Sequence, residues 1–414
     1  SQTSTDAHNS HYSCVGPVMS MQSIICIQLG AREHYSVPRA LETAGAEVTL
    51  LTDLWTANPG GALLRRLGRG GDRFHPGLSG TVISWNRAAL AWELLARLGR
   101  KWGWRQTEAR NRWFAKKIRA YLESEHGVDC SAVFAYSYCA LDALRWSREH
   151  RIPGLLDQID PGPALERVIS KLDRNCEAPS ESYWRDWNAE TAAASIIVVN
   201  SDWSRRCLVE EGIDLRKIAV VPLAYESNAA RCARTYPDAF SAARPLRVLF
   251  LGRIVALKGI DALLGAMERF AVAEVPVALE LVGSGDSRLL ARAATLPNCR
   301  LRGHCSRADA GRYYSEADVF ILPTFSDGFA LTQLEAQAAG LPVIASRHCG
   351  DVVRDGVNGL LLDRVDECAI HDSIMRLVRQ PGSLAAMAAR SGVDKRFSLA
   401  SVGEAWMRLI SRQT

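Results

Sequence analysis

Eleven cysteines are scattered along the 414 residues, but no two of them are spaced as C-x-x-C. Disulfide frameworks and zinc sites need clustered, regularly spaced thiols, so these residues read as reduced and mostly buried, in keeping with a reducing cytosol. No apolar stretch approaches the ~18 residues that mark a spanning helix, which excludes a transmembrane helix. The first 20 residues lack the basic start and apolar core of a secretory signal and read as a disordered tail or leader. No low-complexity tract or short-period repeat is present, and hydrophobic (48%) and charged (23%) contents are those of a globular chain. At roughly 150 residues per domain, two or three domains are expected.

Net charge is also small. Fifty Lys+Arg oppose 45 Asp+Glu, an excess of five that does not by itself imply nucleic acid. The excess is local, however. Between Thr56 and Ala120 fourteen Lys/Arg face three acids, leaving the remainder of the chain net negative. That stretch interleaves its cations with Trp85, Trp92, Trp102, Trp104, Trp113 and Phe114. Two readings stand: an anionic membrane surface met by tryptophan and arginine, or amphipathic helices with tryptophans turned to the core. Stacking on single-stranded nucleic acid has no other support in the chain.

What is present is alternation. Short apolar runs at Ser23–Gln28, Glu47–Leu51, Ala132–Ala135, Gly154–Leu156, Ser195–Asn200 and Ile218–Val221 alternate with helical patterns. Buried parallel strands need helices on both faces, so this rhythm predicts a doubly wound α/β domain. The pattern lapses between Tyr225 and Pro245, then restarts with RVLFLG at Arg247–Gly252. The expected organisation is a tail (1–20), a first Rossmann-like domain (21–224), a linker (225–245), a second Rossmann-like domain (246–395) and a terminal helix (396–414). That helix carries Val402, Trp406, Leu409 and Ile410 at helical spacing and can cross back to the first domain.

The second half carries the sharper chemical signals. Arg253 and Lys258 follow a strand that ends in Gly252, a placement suited to a pyrophosphate at a sheet's carboxyl edge, although two solvated cations would look the same. LVGSGD places Gly283 directly after another strand, where a backbone can approach a ligand or simply turn tightly. In VFILPTFSDGFALTQLEAQAAGLPVIAS a strand ends at Pro323, Asp327-Gly328-Phe329-Ala330 form a loop, and a helix begins near Leu331. Amides at such a helix start favour phosphate. Glu335 lies one turn into the helix, where a carboxylate can accept two hydrogen bonds from a ribose diol, and Asp327 can reach sugar hydroxyls, although a simple helix cap and a solvated helix residue would look the same.

The ordered series GRIVALKG, LVGSGD, RLRGH, YYSEADVFILPTFSDGFALTQLEAQAAGLPVIAS and DGVNGLLL resembles the donor half of the family 4 glycosyltransferases. The stretch SIIVVNSDWSRRCLVEEGIDLRKIAVVPLAY is similar to the end of that family's first domain. The resemblance implies a GT-B architecture, two Rossmann-like doubly wound domains facing across a cleft. By the same resemblance Arg253 and Lys258 match the pair that holds the nucleotide diphosphate, and Glu335 matches the acid that grips the ribose. Asp327 stands where the family usually has Glu, one methylene longer, the acid that positions the donor sugar. Gly328, Phe329, Ala330 and Leu331 match the loop whose amides approach the phosphates, and His304 lies in the stretch that meets the base.

The first half matches only in rhythm. Its first loop keeps Gly30, a position that faces the cleft in the family, and adds Arg32, His34 and Tyr35, either acceptor contacts or simple loop packing. The family's usual histidine at the end of a middle strand is missing from IPGLLDQIDPGP. Asp157, Gln158 and Asp160, or Tyr136 and Tyr138 from FAYSYC, stand nearest to that place. The resemblance implies a retaining, metal-independent enzyme using a UDP- or GDP-sugar as donor substrate, with no cofactor and with a glycan or lipid-linked acceptor. The chain contains no D-x-D motif. A cytoplasmic protein is expected, peripheral on the inner face of a membrane if residues 56–120 bind lipid. An epimerase or hydrolase on the same fold, or a non-catalytic sugar-nucleotide binder, are the alternatives.

Overall fold

The computed structural model describes residues 22–57, 73–99, 103–124, 129–226 and 231–413. The expected tail, and parts of the basic stretch and of the linker, lie outside them.

The first sheet contains β1 (Ser23–Gln28), β2 (Glu47–Thr52), β3 (Thr81–Ser84), β4 (Ala132–Tyr136), β5 (Gly154–Gln158), β6 (Ile196–Val199) and β7 (Ile218–Val220). They lie in the order β3-β2-β1-β4-β5-β6-β7, every pair parallel. The second contains β8 (Leu246–Leu251), β9 (Val277–Val282), β10 (Cys299–Gly303), β11 (Val319–Leu322), β12 (Val343–Ser346) and β13 (Gly359–Leu362). Its order is β10-β9-β8-β11-β12-β13, again parallel throughout. Strand order reverses beside β1 and beside β8. Ligands of doubly wound sheets bind at the carboxyl ends beside such a reversal, which puts any site at those two edges.

The central strands are apolar on both faces because helices cover both faces. In the first sheet Ile24, Cys26, Phe134 and Leu155 pack against one helix layer, and Ile25, Ile27, Val133 and Leu156 against the other. The second sheet buries one larger core around Leu249, Phe250, Ile321 and Ile344. Strand β3 has no counterpart in the sequence reading. It is a half-exposed edge strand of four residues inside the basic stretch, too short to show a period.

The helix Leu399–Ser411 lies on the first domain. Trp406 meets Phe134 edge-on at 5.1 Å, and Val402, Trp406 and Ile410 are buried in that domain's core. At the start of the second sheet the chain is pinned by cations. Arg244 and Arg247 both bond the buried Asp318; burial pushes its carboxyl up, but the two guanidiniums outweigh this and hold it below the ordinary range.

The basic stretch is largely turned inward where it is described. Phe114 is fully buried against Trp85, Trp113 packs on the same core, and Trp92 meets Trp113 at 6.2 Å. Trp104 meets Tyr183 at 5.1 Å and donates its Nε1 hydrogen to the Glu177 carbonyl. Trp102 lies outside the described residues. Arg73 and Arg110 both close on the buried Asp53, at 2.9 and 2.5 Å. Among the described residues no helix is long and apolar enough to cross a membrane.

Candidate active site

At the edge of the second sheet, Gly252 and Gly283 end adjacent strands, and the Gly252 amide donates to the Val282 carbonyl at 3.0 Å. A Cβ on Gly283 would stand 1.9 Å from the Gly252 carbonyl oxygen, at a φ of +141°. Only glycine fits there, which brings two bare backbones side by side beneath the cleft. Arg253 follows, exposed, with no hydrogen bond or ion pair to its guanidinium among the described residues. Lys258 is pulled inward instead, and its ammonium contacts the Asp327 carboxylate. Two residues read separately from the sequence thus meet directly. His304 stands exposed just past β10.

The loop after β11 is fixed from several sides. The Asp327 amide donates to the His348 carbonyl at 2.8 Å, and Gln333 Nε2 donates to the Phe329 carbonyl at 2.9 Å. Phe329 itself is buried with Leu334, Val352 and Phe397. Ala330 takes a φ of +67°, and Leu331 caps the helix Thr332–Ala338. The amides of Gly328, Phe329, Ala330 and Leu331 donate to no acceptor among the described residues. Buried or half-buried backbone donors are normally paired, so four in succession make a place where an anion would be held. Glu335, one turn on, accepts a 2.7 Å hydrogen bond from the buried Tyr314 hydroxyl.

The first domain closes over this loop. A Cβ on Gly328 would stand 2.1 Å from the Ile159 carbonyl oxygen of the opposite domain. Trp203 Nε1 donates to Ser326 Oγ at 3.1 Å, and the Asp202 amide donates to Asp351 at 3.0 Å. Between the domains lies a cavity of about 560 Å³ on the Asn200 side and another of about 840 Å³ lined by Glu33, His34, Tyr314, Leu331 and Glu335. Residues of both sheets' carboxyl edges therefore face one space.

The first-domain residues singled out from the sequence fall into two groups. Tyr138, with a φ of +74°, donates its hydroxyl to Asp160 at 2.6 Å. Gln158 Nε2 donates to both, and Gln158 Oε1 accepts from Trp187 at 2.9 Å. These three bond one another; they brace the end of β5. Glu190, which the sequence reading did not single out, accepts from the amides of Tyr138, Ala140 and Leu141 at 2.8, 2.7 and 3.2 Å. Burial pushes its carboxyl up to about 7 despite those bonds.

The second group surrounds the loop after β1. Gly30 donates its amide to Asp53 at 3.0 Å. Glu33, His34 and Tyr35 then take φ values of 49°, 51° and 61°. Three successive left-handed residues with side chains are costly, about 1 kcal/mol or more each, and persist only where surrounding structure imposes them. Here they aim Glu33 at Tyr136, whose hydroxyl donates to it at 3.2 Å; Ser36 Oγ donates at 3.3 Å. Tyr35 is buried against Trp55 at 5.0 Å, and His34 lines the larger cavity. The Arg32 guanidinium lies 6.0 Å from the Tyr136 ring centre. Burial pushes Glu33 up to about 7, with the bonds from Tyr136 and Ser36 and the Arg32 charge pulling the other way. Asp157 is raised well above the carboxylate range, first by burial and then by the Glu33 charge. Nothing in the sequence marks Glu33; its backbone conformation is the signal.

Two parallel doubly wound sheets facing across such a cleft define the GT-B class of fold. Residues 245–380 match the family described as glycosyl transferases group 1, so the second domain is a glycosyl transferases group 1 domain. The resemblance to family 4 glycosyltransferases read from its motifs is borne out. Among similar curated proteins are D-inositol 3-phosphate glycosyltransferases. That of Mycobacterium sp. (strain JLS) is 36% identical over 43% of this chain and 41% of its own length. That of Rhodococcus jostii (strain RHA1) is 34% identical over 57% of this chain and 53% of its own. The chain thus spans about a third to half the length of the curated relatives it matches. Among solved structures, sucrose-phosphate synthase from Thermosynechococcus elongatus superposes with a TM-score of 0.64 over 95% of this chain and 99% of that one, at 19% identity. HepE of Anabaena, solved in complex with UDP, gives 0.62 over 95% and 100%, at 17% identity. These show the shared fold.

Proposed function

We propose that this chain transfers a sugar from a nucleotide-diphosphate sugar, UDP- or GDP-linked, to an acceptor hydroxyl with retention of anomeric configuration and without a metal. The observation that carries the reading is the run of four amides at 328–331 without acceptors among the described residues, flanked by Arg253, Lys258 and Glu335 on a glycosyl transferases group 1 domain. UDP complexes of proteins with this fold, such as HepE, support a nucleotide-sugar donor.

In this reading Glu335 grips the ribose diol, and the amides and cations receive the diphosphate. The bond from the sugar's anomeric carbon to the diphosphate oxygen breaks, and its electrons stay on the leaving phosphate. Fixed donors aimed at that growing charge supply the largest part of the acceleration. The acceptor oxygen bonds the anomeric carbon on the same face, and its proton passes to a phosphate oxygen of the leaving group. Asp327, held by Lys258, positions the sugar and keeps the ammonium beside the phosphates.

The acceptor is glycan or lipid-linked, and peripheral membrane attachment belongs to the same reading. On the helix Asn86–Leu98, Leu90, Leu94 and Leu95 are 47%, 60% and 67% exposed. Arg87 on that helix, and Arg105, Arg112 and Lys116 on the next, are exposed as well. Leucines rather than the inward-packed tryptophans would then enter the headgroup layer.

Calorimetric titration with UDP, GDP and their common sugars, with chelator present, tests the donor assignment. Binding of one base series is expected; no binding of any nucleotide would overturn it.

A further inference from the structure

We propose that the turn Asn200–Trp203 of the first domain is the seat of the donor loop, and that Asn200 is a positioning residue: it holds the Ile159 carbonyl against Gly328 and so fixes the amides at 328–331 in place. The inference rests on the transferase reading above for what those amides receive, and adds what keeps them aimed.

Sheet register brings the parts together. β5 and β6 pair with Gln158 opposite Val199, so Ile159 and Asn200 leave the sheet side by side. Asn200 is 4% exposed, and its Nδ2 donates to the Ile159 carbonyl at 3.3 Å. Both neighbours of Ile159 are tied as well. Gln158 donates to the Tyr138 hydroxyl and to Asp160, and Asp160 accepts from the Gly162 amide at 2.8 Å. The carbonyl between them is therefore held in one direction, towards the second domain. Its oxygen fills the space where a Cβ on Gly328 would stand, 2.1 Å from that point. Gly328 is not among the residues of positive φ, so the position requires close approach of two backbones rather than an unusual conformation.

The rest of the turn meets the loop on either side of Gly328. Ser201 Oγ accepts from the Ser204 amide and starts the helix Asp202–Glu210. That start sets the Asp202 amide on Asp351 at 3.0 Å and the Trp203 indole on Ser326 Oγ at 3.1 Å. The Trp203 ring lies 4.5 Å from the His348 ring, and the His348 carbonyl accepts from the Asp327 amide. Four consecutive residues thus reach Ser326 and the 348–351 segment and back Gly328 through Ile159.

The manner of contact decides its use. The seat meets the loop through the Gly328 Cα and the Ser326 hydroxyl, and takes none of the amides at 328–331. Fixed donors with unspent hydrogens stabilise a growing phosphate charge because they need no rearrangement as it grows. A loop held by its own amides would have lost them to the fold. Asn200 Oδ1 has no partner among the described residues and stands 3.4 Å from the same Cβ point of Gly328. A buried acceptor beside unpaired donors draws the loop towards it.

Hydrogen exchange of the full chain, read by mass spectrometry, tests the seat. The reporters are the Phe325 and Asp327 amides, which donate to the Leu257 and His348 carbonyls inside the second domain. Asn200→Leu keeps the side-chain volume and removes the donor to Ile159. It is expected to speed exchange in peptides covering 324–331 by about tenfold or more, with 246–251 and 319–322 unchanged, and to weaken UDP or GDP binding at least threefold. Trp203→Phe loses the bond to Ser326 and keeps a ring beside His348. It is expected to speed the same peptides by a smaller factor, and carries the test should Asn200→Leu not fold. A role confined to the first domain's own folding predicts faster exchange at 154–160 and 196–200 and none at 324–331. That result, unchanged loop exchange in both variants, or a faster loop with unchanged nucleotide affinity would each overturn the proposal. A loop that responds to the variants while no nucleotide binds the unaltered chain would leave the seat standing and sink the transferase reading instead.

Discussion

The two sheets are built alike and end differently. The edge of the second is bare backbone: glycines at 252 and 283, amides at 328–331 without acceptors among the described residues, and the cations Arg253 and Lys258. The edge of the first is carboxylate and carbonyl: Glu33, Asp157 and the Gln28 amide oxygen, held by a strained turn. One edge presents unpaired amides and cations, the other a buried pair of acids whose carboxyls are raised by burial. A shared topology says where a ligand sits, while the groups at each edge decide what it can hold.

The comparison can be broken most severely at its glycines. Gly283→Val forces a side chain to 1.9 Å from the Gly252 carbonyl oxygen in a φ region unsuited to valine. It is expected to cost more than about 2 kcal/mol of stability, read from denaturant unfolding, and to remove nucleotide binding. Next come the cations. Arg253→Ala and Lys258→Ala are each expected to lose about 1 to 3 kcal/mol of nucleotide-diphosphate affinity, the scale of a charged hydrogen bond, measured calorimetrically. Lys258→Ala also strands Asp327, so Lys258→Ala with Asp327→Asn should recover part of the loss.

A smaller effect sharpens the acidic edge. The Glu33 carboxyl rises from 4.5 to about 7 on folding. Between those values the folded chain binds more protons than the unfolded one, so stability is greatest below about 4.5 and falls as pH rises towards 7. Glu190 adds the same sign over the same window. Glu33→Gln should flatten the fall, measured as denaturant midpoint against pH, without abolishing it; a slope equal to that of the unaltered protein contradicts the account. Smallest is the effect expected at the exposed leucines. Leu94→Ser with Leu95→Ser should reduce co-sedimentation with anionic liposomes severalfold, and the remaining binding should fade with salt.

The difference between the edges also explains what could be read without coordinates. The donor edge is written locally, since each of its strands is followed within a few residues by its own glycine, cation or acid. Spacing and residue type therefore pointed to Arg253, Lys258, Gly283, Asp327 and Glu335 before any fold was known, although the contact between Lys258 and Asp327, 69 residues apart, was not visible. The first sheet's edge is written in pieces that only sheet register joins, Gln28 on β1 and Asp157 on β5. Asp157 stood among several polar residues of its segment, and only register and hydrogen bonding separate it from Gln158, which is fully bonded. Glu33 was passed over because a left-handed turn of ordinary residues leaves no compositional trace. Likewise the sequence left the basic stretch open between a lipid-facing surface and core-packed helices, and the inward turn of Arg73 and Arg110 onto Asp53 shows only in the fold. The alternation of short apolar runs sufficed for both parallel sheets, while β3, with four half-exposed residues, had too few positions to show a period.

The division between the edges is tested most directly by titrating UDP and GDP into four proteins: the unaltered chain, Arg253→Ala, Lys258→Ala and Glu33→Gln. The account predicts one tight nucleotide for the unaltered chain and for Glu33→Gln, with affinity lost by about 5- to 150-fold in the two cation variants. Equal affinities in all four, or a loss confined to Glu33→Gln, would contradict it.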